Sequence, residues 1–137
     1  MTEKLTNEQA VKEVQKFVEK YDDKKKEDWE IENDYPHVIE ALKLGLLSFN
    51  EESKPFYKLK YPIRNEEGEV SVTDIDFRTR IKPNDLANVM KGLDISKNQI
   101  EYTLRCLSYI TKQPKAMLDR FEKFDYKVIE QVSTVFL

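Results

Sequence analysis

Between Lys54 and Pro83 the chain alternates. Tyr57, Leu59, Tyr61 and Ile63 share one parity, and Lys58 and Lys60 the other. Period two sends successive side chains to opposite faces of a strand. Phe56 to Ile63 is therefore predicted as a strand that stops around Pro62, which has no backbone donor. Arg64 to Glu69 is polar and contains Gly68, so it reads as a hairpin loop. Val70 to Ile81 alternates again, but Val70 and Val72 lie in one phase and Ile75, Phe77 and Ile81 in the other. The slip at Thr73-Asp74 predicts a β-bulge or a change of face. A lone hairpin is marginal in water, so flanking helices must cover its apolar side.

Helical spacing accounts for most of the rest. Thr6 and Gln9 have the spacing of a capping box, and Ala10, Val11, Val14, Phe17, Val18 and Tyr21 form one stripe behind it. That stripe faces either its own domain or another subunit; in the second case Val11, Val14, Phe17, Val18 and Tyr21 are the self-association surface. Lys20 to Asp34 has 11 charged residues in 15 and reads as a solvated linker, with Trp29 tethering it to the core. Asp34 is placed to cap a helix with Pro36 in its first turn. Tyr35, Val38, Ile39, Leu42 and Leu46 recur along that helix, and Gly45 is suited to end it. Leu46 to Phe49 is a short strand or an exit turn. After the hairpin, Pro83-Asn84-Asp85 opens a short helix that ends at Gly92. Ser96 and Gln99 have another capping-box spacing. Ile100, Thr103, Leu104, Leu107 and Ile110 then run to Pro114. A short helix through Met117 and Phe121 follows, and Asp125 is expected to cap a last one bearing Val128, Ile129, Val132 and Phe136.

The totals narrow the class. The 137 residues are 39% hydrophobic and 36% charged, enough for one modest core under a heavily charged surface. The net charge of −3 does not favour a polyanionic partner. Residues 1–54 carry 9 Lys/Arg against 14 Asp/Glu, and residues 55–137 carry 14 against 12. The single Cys106 excludes an internal disulfide and fits a reducing cytoplasm. The N-terminus lacks the pattern of a secretory signal, and no segment approaches the ~20 apolar residues of a membrane span.

Sites for chemistry are sparse. His37 and Cys106 are the only imidazole and thiol, too few for a zinc site. Cys106 lies between Leu104 and Leu107, the setting of an inert buried thiol, and His37 reads as a surface residue. Gly45, Gly68 and Gly92 stand apart, so no glycine loop cradles a phosphate. Asp74 and Asp76 share a face with Arg78 and Arg80, which reads as a charge ladder rather than a catalytic dyad. Lys58, Lys60, Arg78, Arg80 and Lys82 form a basic hairpin face. Such a face either touches phosphates or protects a sheet edge from aggregation. No catalytic, cofactor or metal residue is assigned, and a protein that works by contact remains.

Leu59-Lys60-Tyr61-Pro62-Ile63, Gly68, and Val72-Thr73-Asp74-Ile75-Asp76-Phe77-Arg78 resemble the hairpin of the tail assembly chaperones of Mu-like and related long-tailed phages and prophages. Lys82 to Leu86 is similar to that family's step into helices, Leu104 to Pro114 to its helix and closing turn, and Leu118, Asp125 and Val132 to Leu137 to its last helix. The resemblance covers about residues 56–137. It implies a non-enzymatic protein of the bacterial host cytoplasm, absent from the finished virion. Such a protein binds the long apolar tape-measure protein and helps recruit tail tube subunits.

The expected architecture is α+β: one antiparallel hairpin or small sheet with five or six short helices. Residues 1–33 form an acidic helix and linker, and residues 34–137 the chaperone-like domain. The expected partner contacts are Tyr102, Tyr109, Met117, Phe121 and Phe124. The rival expectation is a small nucleic-acid-binding regulator that uses the basic hairpin face.

Overall fold

A computed structural model describes residues 4–137. Among them are seven helices and one antiparallel three-stranded sheet, an α+β architecture. In chain order these are α1 (Asn7–Asp22), α2 (Asp28–Asp34), α3 (Pro36–Lys43), β1 (Leu47–Phe49), β2 (Pro55–Arg64), β3 (Val70–Asp76), α4 (Pro83–Val89), α5 (Gln99–Thr111), α6 (Lys115–Leu118) and α7 (Lys123–Thr134). The strands lie in the order β1-β2-β3.

The helix α1 begins as its sequence dictates. The Thr6 amide donates to Gln9 Oε1 at 2.9 Å, and the Gln9 amide donates to Thr6 Oγ1 at 3.2 Å. Its stripe turns inward: Ala10, Val11, Val14, Phe17 and Val18 are buried within the single chain. They join one cluster with Val38 and Leu42 of α3, Tyr57 of β2 and Val128, Ile129 and Val132 of α7. The Phe17 ring stacks on Phe49 at 4.7 Å and meets Phe136 edge-on at 5.5 Å. This corrects the reading of the stripe as a self-association surface. Val11, Val14, Phe17 and Val18 are already covered by their own chain, and only Tyr21 stays half-exposed. It also removes the boundary at residue 33, because α1 supplies part of the common core.

The charged stretch before Tyr35 is not a bare linker. It contains α2, whose start is held by the Glu27 amide donating to Glu30 Oε1 at 3.0 Å, with Ile31 fully buried. Trp29 does not tether anything; it is 70% exposed. Helix geometry explains why: residues two apart point about 200° apart, so a helix that buries Ile31 turns Trp29 outward. Asp34 ends α2 rather than capping α3, and it pairs with Lys26 at 3.0 Å. The first turn of α3 is satisfied instead by α7. Gln131 Oε1 accepts from the amides of His37 (3.0 Å) and Val38 (3.2 Å), and Gln131 Nε2 lies 3.0 Å from His37 Nδ1. His37 is consequently half-buried rather than a free surface residue.

The covered face of the sheet presents Tyr57, Leu59 and Ile63 from β2 and Ile75 from β3, all buried. Phe77, just past β3, is buried too, so the phase read for Ile75 and Phe77 holds. On the opposite face Phe56 is 45% exposed, and Lys58, Asp74 and Asp76 face solvent. The strand limits differ from expectation. β2 runs through Pro62 to Arg64, and β3 stops at Asp76. Lys58 pairs with Asp74 but Ile63 pairs with Val72, so the ladder slips at Thr73 as expected, with the extra residues on β2 around Pro62; a second slip between Ile63 and Arg64 leaves Ser71 extra on β3. Pro62 has no donor to lose there, and the distortion turns Tyr61 outward, leaving it 47% exposed.

Candidate partner-binding surface

The β2 bulge leaves backbone donors without a strand partner, and α7 supplies the acceptor. Asp125, in the first turn of α7 and fully buried, accepts from the Tyr57 hydroxyl at 2.5 Å through Oδ1. The same oxygen accepts from the Lys60 amide at 2.9 Å, and Oδ2 accepts from the Tyr61 amide at 3.0 Å. A buried carboxylate is tolerated only when its lone pairs are satisfied, and here three donors converge on it. Burial, then the hydrogen bond to Asp125, pushes the Tyr57 phenol well above its usual range. The α7 start lies at Lys123, with Glu122 at the cap position, so Asp125 is a latch between helix and sheet rather than the cap.

The basic hairpin face is broken up. Arg78 Nε donates to the Tyr109 carbonyl at 2.8 Å, and the guanidinium lies 4.6 Å from the Tyr109 ring centroid. The Arg78 amide donates to the Ile110 carbonyl at 2.7 Å. Lys112 pairs with Asp76 at 3.1 Å, and the Lys60 ammonium lies 4.9 Å from the Phe124 ring centroid. Among the described residues no cluster of three or more His, Cys, Asp or Glu is placed to hold a metal ion. No described helix is long and apolar enough to cross a membrane. Cys106 is buried, and burial raises its thiol pKa despite a hydrogen bond with Tyr102 that acts the other way.

The five expected contact residues do not form one patch. Phe121 is in the core cluster. Tyr109 is half-buried under Arg78, and Met117 packs against the core. Tyr102 is half-buried next to the Cys106 thiol. Phe124 lies 5.8 Å from the His37 ring and lines a shallow depression with His37 and Tyr61.

The large apolar side chains left open lie elsewhere, at Ile95 and Ile100 around the start of α5, while Leu86 and Val89 of α4 are half-buried. Pro83 opens α4, and Arg105 of α5 holds its far end, donating through Nη1 to the Val89 (3.2 Å) and Lys91 (3.1 Å) carbonyls. No residue of α4 is buried, although it carries Leu86 and Val89. Ser96 bonds Asp94 at 2.6 Å instead of capping α5, which starts at Gln99 behind Asn98. Ile100 is then 79% exposed and Ile95 37% exposed. Ile100 and Leu104 line a shallow depression with Lys97 and Glu101. The stripe Ile100-Leu104-Leu107-Ile110 is thus split: Leu107 and Ile110 are buried, and its N-terminal turns project past the core. Periodicity alone gave no sign of the split, because it reports an apolar face and not how far the covering elements reach.

No protein-family model, curated protein or solved structure matches this chain.

Proposed function

We propose that the protein is a non-enzymatic tail assembly chaperone. It binds the apolar helical tape-measure protein, keeps it soluble in the bacterial cytoplasm while tail tube subunits assemble around it, and is released before the virion is finished. The observation that carries the reading is the pair of open apolar side chains around the start of α5, with Ile100 79% exposed and Ile95 37% exposed. Uncovered apolar side chains at a helix start suit an amphipathic helix laid against them. The resemblance over residues 56–137 is what points to the tape-measure protein as that helix's owner.

The test is co-expression with a tape-measure protein, the long helical product that this reading expects to be encoded beside it. A soluble complex that co-purifies, with the partner insoluble when expressed alone, is the expected outcome. No complex and no gain in the partner's solubility would end this reading. The alternative use of the hairpin face for nucleic acid gains no support from the geometry, since Arg78 is committed to Tyr109 and Asp74 and Asp76 interrupt the cations.

A further inference from the structure

We propose that α4 is a hinged cover on α5, bolted by Arg105, and that it lifts as a unit to widen the apolar seat that begins at Ile95 and Ile100. Of the other elements, α5 is the one that packs closely on α4, and no α4 residue is buried. Leu86, Val89, Met90 and Leu93 recur at three and four and are all half-buried. One apolar stripe of α4 is therefore partly covered, and none of it is locked into the core. The rest of the hold is polar. Arg105 Nη1 donates to the Val89 carbonyl at 3.2 Å and to the Lys91 carbonyl at 3.1 Å. Among the described residues, no other hydrogen bond joins Lys82–Lys91 to another element. The bolt belongs to α5: Arg105 Nε lies 3.9 Å from Glu101 Oε2, and Glu101 is held by Lys115 at 2.8 Å.

Both ends of the segment are fixed, with a pivot beside each. Upstream, the Arg78 amide and Nε bond the Ile110 and Tyr109 carbonyls, and Ile81 packs against the core. Downstream, Asp94 closes a turn that leads into α5. Its carboxylate accepts from the Ser96 amide at 3.2 Å and the Ser96 hydroxyl at 2.6 Å, and its carbonyl accepts from the Asn98 amide at 3.0 Å. Gly92 lies between α4 and that turn, at φ +75°. Apart from its chain neighbours, no heavy atom lies within 4 Å of where a Cβ would sit. Glycine takes this conformation without strain, and the open space leaves room for α4 to swing.

Lifting α4 breaks two bonds from one side chain and uncovers little surface. Openings of that size lie well below global unfolding. Closed, the Leu86-Val89-Met90-Leu93 stripe is partly shielded. Open, it joins Ile95 and Ile100 on one surface. The inference deepens the chaperone reading and rests on it for the occupant, an amphipathic helix of the apolar partner. A partner that takes only the open form binds with an affinity reduced by the open fraction, so the bolt sets how readily the seat fills.

Hydrogen exchange of the chain alone, followed at several urea concentrations, tests the hinge. The Leu86–Met90 amides are expected to exchange as a group, about 100-fold less protected than those of Val128 and Ile129, and with almost no urea dependence. Arg105→Met keeps the aliphatic stem and removes the donors. It should speed exchange at Leu86–Met90 about tenfold and raise emission of the apolar dye 1-anilinonaphthalene-8-sulfonate in native buffer. Leu86→Ser should do the same from the other side of the contact, since neither position is buried. Co-expressed with the tape-measure protein, Arg105→Met should retain more of it than the natural chain does, which mere loss of stability would reverse. Leu86–Met90 amides as protected as those of α7 with the same urea slope, exchange that ignores Arg105→Met, or weaker partner retention by that variant would overturn the proposal. Failure of the exchange test leaves the chaperone reading standing, and failure of co-expression with the natural chain leaves the hinge standing on its exchange.

Discussion

The Tyr57 hydroxyl donates to Asp125 Oδ1 at 2.5 Å, joining the middle of the sheet to the last helix across 68 residues of sequence. The bond sits where β2 leaves its register, and the same carboxylate holds the Lys60 and Tyr61 amides. Asp125→Ala removes the acceptor for three donors at once. Each buried donor left unpaired costs about 1–3 kcal/mol, so the variant should lose about 3–5 kcal/mol in urea unfolding. Tyr57→Phe removes one donor and leaves the two amides in place, for a loss of about 1.5 kcal/mol. A surface-like effect of Asp125→Ala, under about 0.5 kcal/mol, would show that the latch contributes little.

The same pair sets an alkaline limit. The Tyr57 pKa is raised in the fold from the ordinary value of 10.0, first by burial and then by the hydrogen bond to Asp125. A group whose folded pKa lies above its unfolded one contributes stability that is complete below the unfolded value and is lost as pH rises toward the folded one. Tyr57 therefore contributes fully below pH 10.0 and drives unfolding above it. Unfolding midpoints measured on both sides of that pH should fall steeply for the natural chain and less steeply for Tyr57→Phe.

Much of this was legible in the sequence, and the gaps have physical causes. The phases of Ile75 and Phe77, the α1 capping box and the α7 stripe are local patterns, and all are found in the structure. The role of Asp125 was not visible, because its donors at Tyr57, Lys60 and Tyr61 are over 60 residues away in the chain. α2 was hidden because seven residues offer only Trp29 and Ile31 as apolar signals, on opposite sides of the helix. The open seat at Ile100 was hidden inside a stripe whose other half, Leu107 and Ile110, is core.

Burial of α1 within the chain makes a distinct prediction. Phe17 is 1% exposed between Phe49, Tyr21 and Phe136. Phe17→Ala should destabilise the fold by about 3–5 kcal/mol through the cavity it leaves. The loss should be independent of protein concentration, because the contacts broken are within one chain. A loss that shrank as concentration rose would return this stripe to a subunit interface.

Arg78 separates the structural role of the hairpin cations from a nucleic-acid role. Its guanidinium bonds the Tyr109 carbonyl and covers the Tyr109 ring, so Arg78→Ala should cost about 1–2 kcal/mol of stability. Arg78→Lys should recover little of that, since an ammonium cannot stack on the ring in the same way. A gel shift of DNA or RNA that appeared at low salt and weakened with Arg78→Ala in proportion to lost charge would favour the nucleic-acid reading instead.

The last prediction concerns the open seat. Ile100 contributes almost nothing to the monomer's core at 79% exposure, so Ile100→Asp should change unfolding stability by less than about 0.5 kcal/mol. Bound under an apolar helix, the same side chain would bury enough surface to supply about 1.5–3 kcal/mol, and a carboxylate in its place would have to be desolvated without a partner. On the proposed chaperone reading, Ile100→Asp should therefore abolish co-purification of the tape-measure protein while the chain itself remains folded. Val128→Ala is the opposite control: it damages the core, where Val128 is fully buried, but leaves the seat chemistry unchanged. Loss of the partner with Val128→Ala and retention with Ile100→Asp would place the binding surface away from α5.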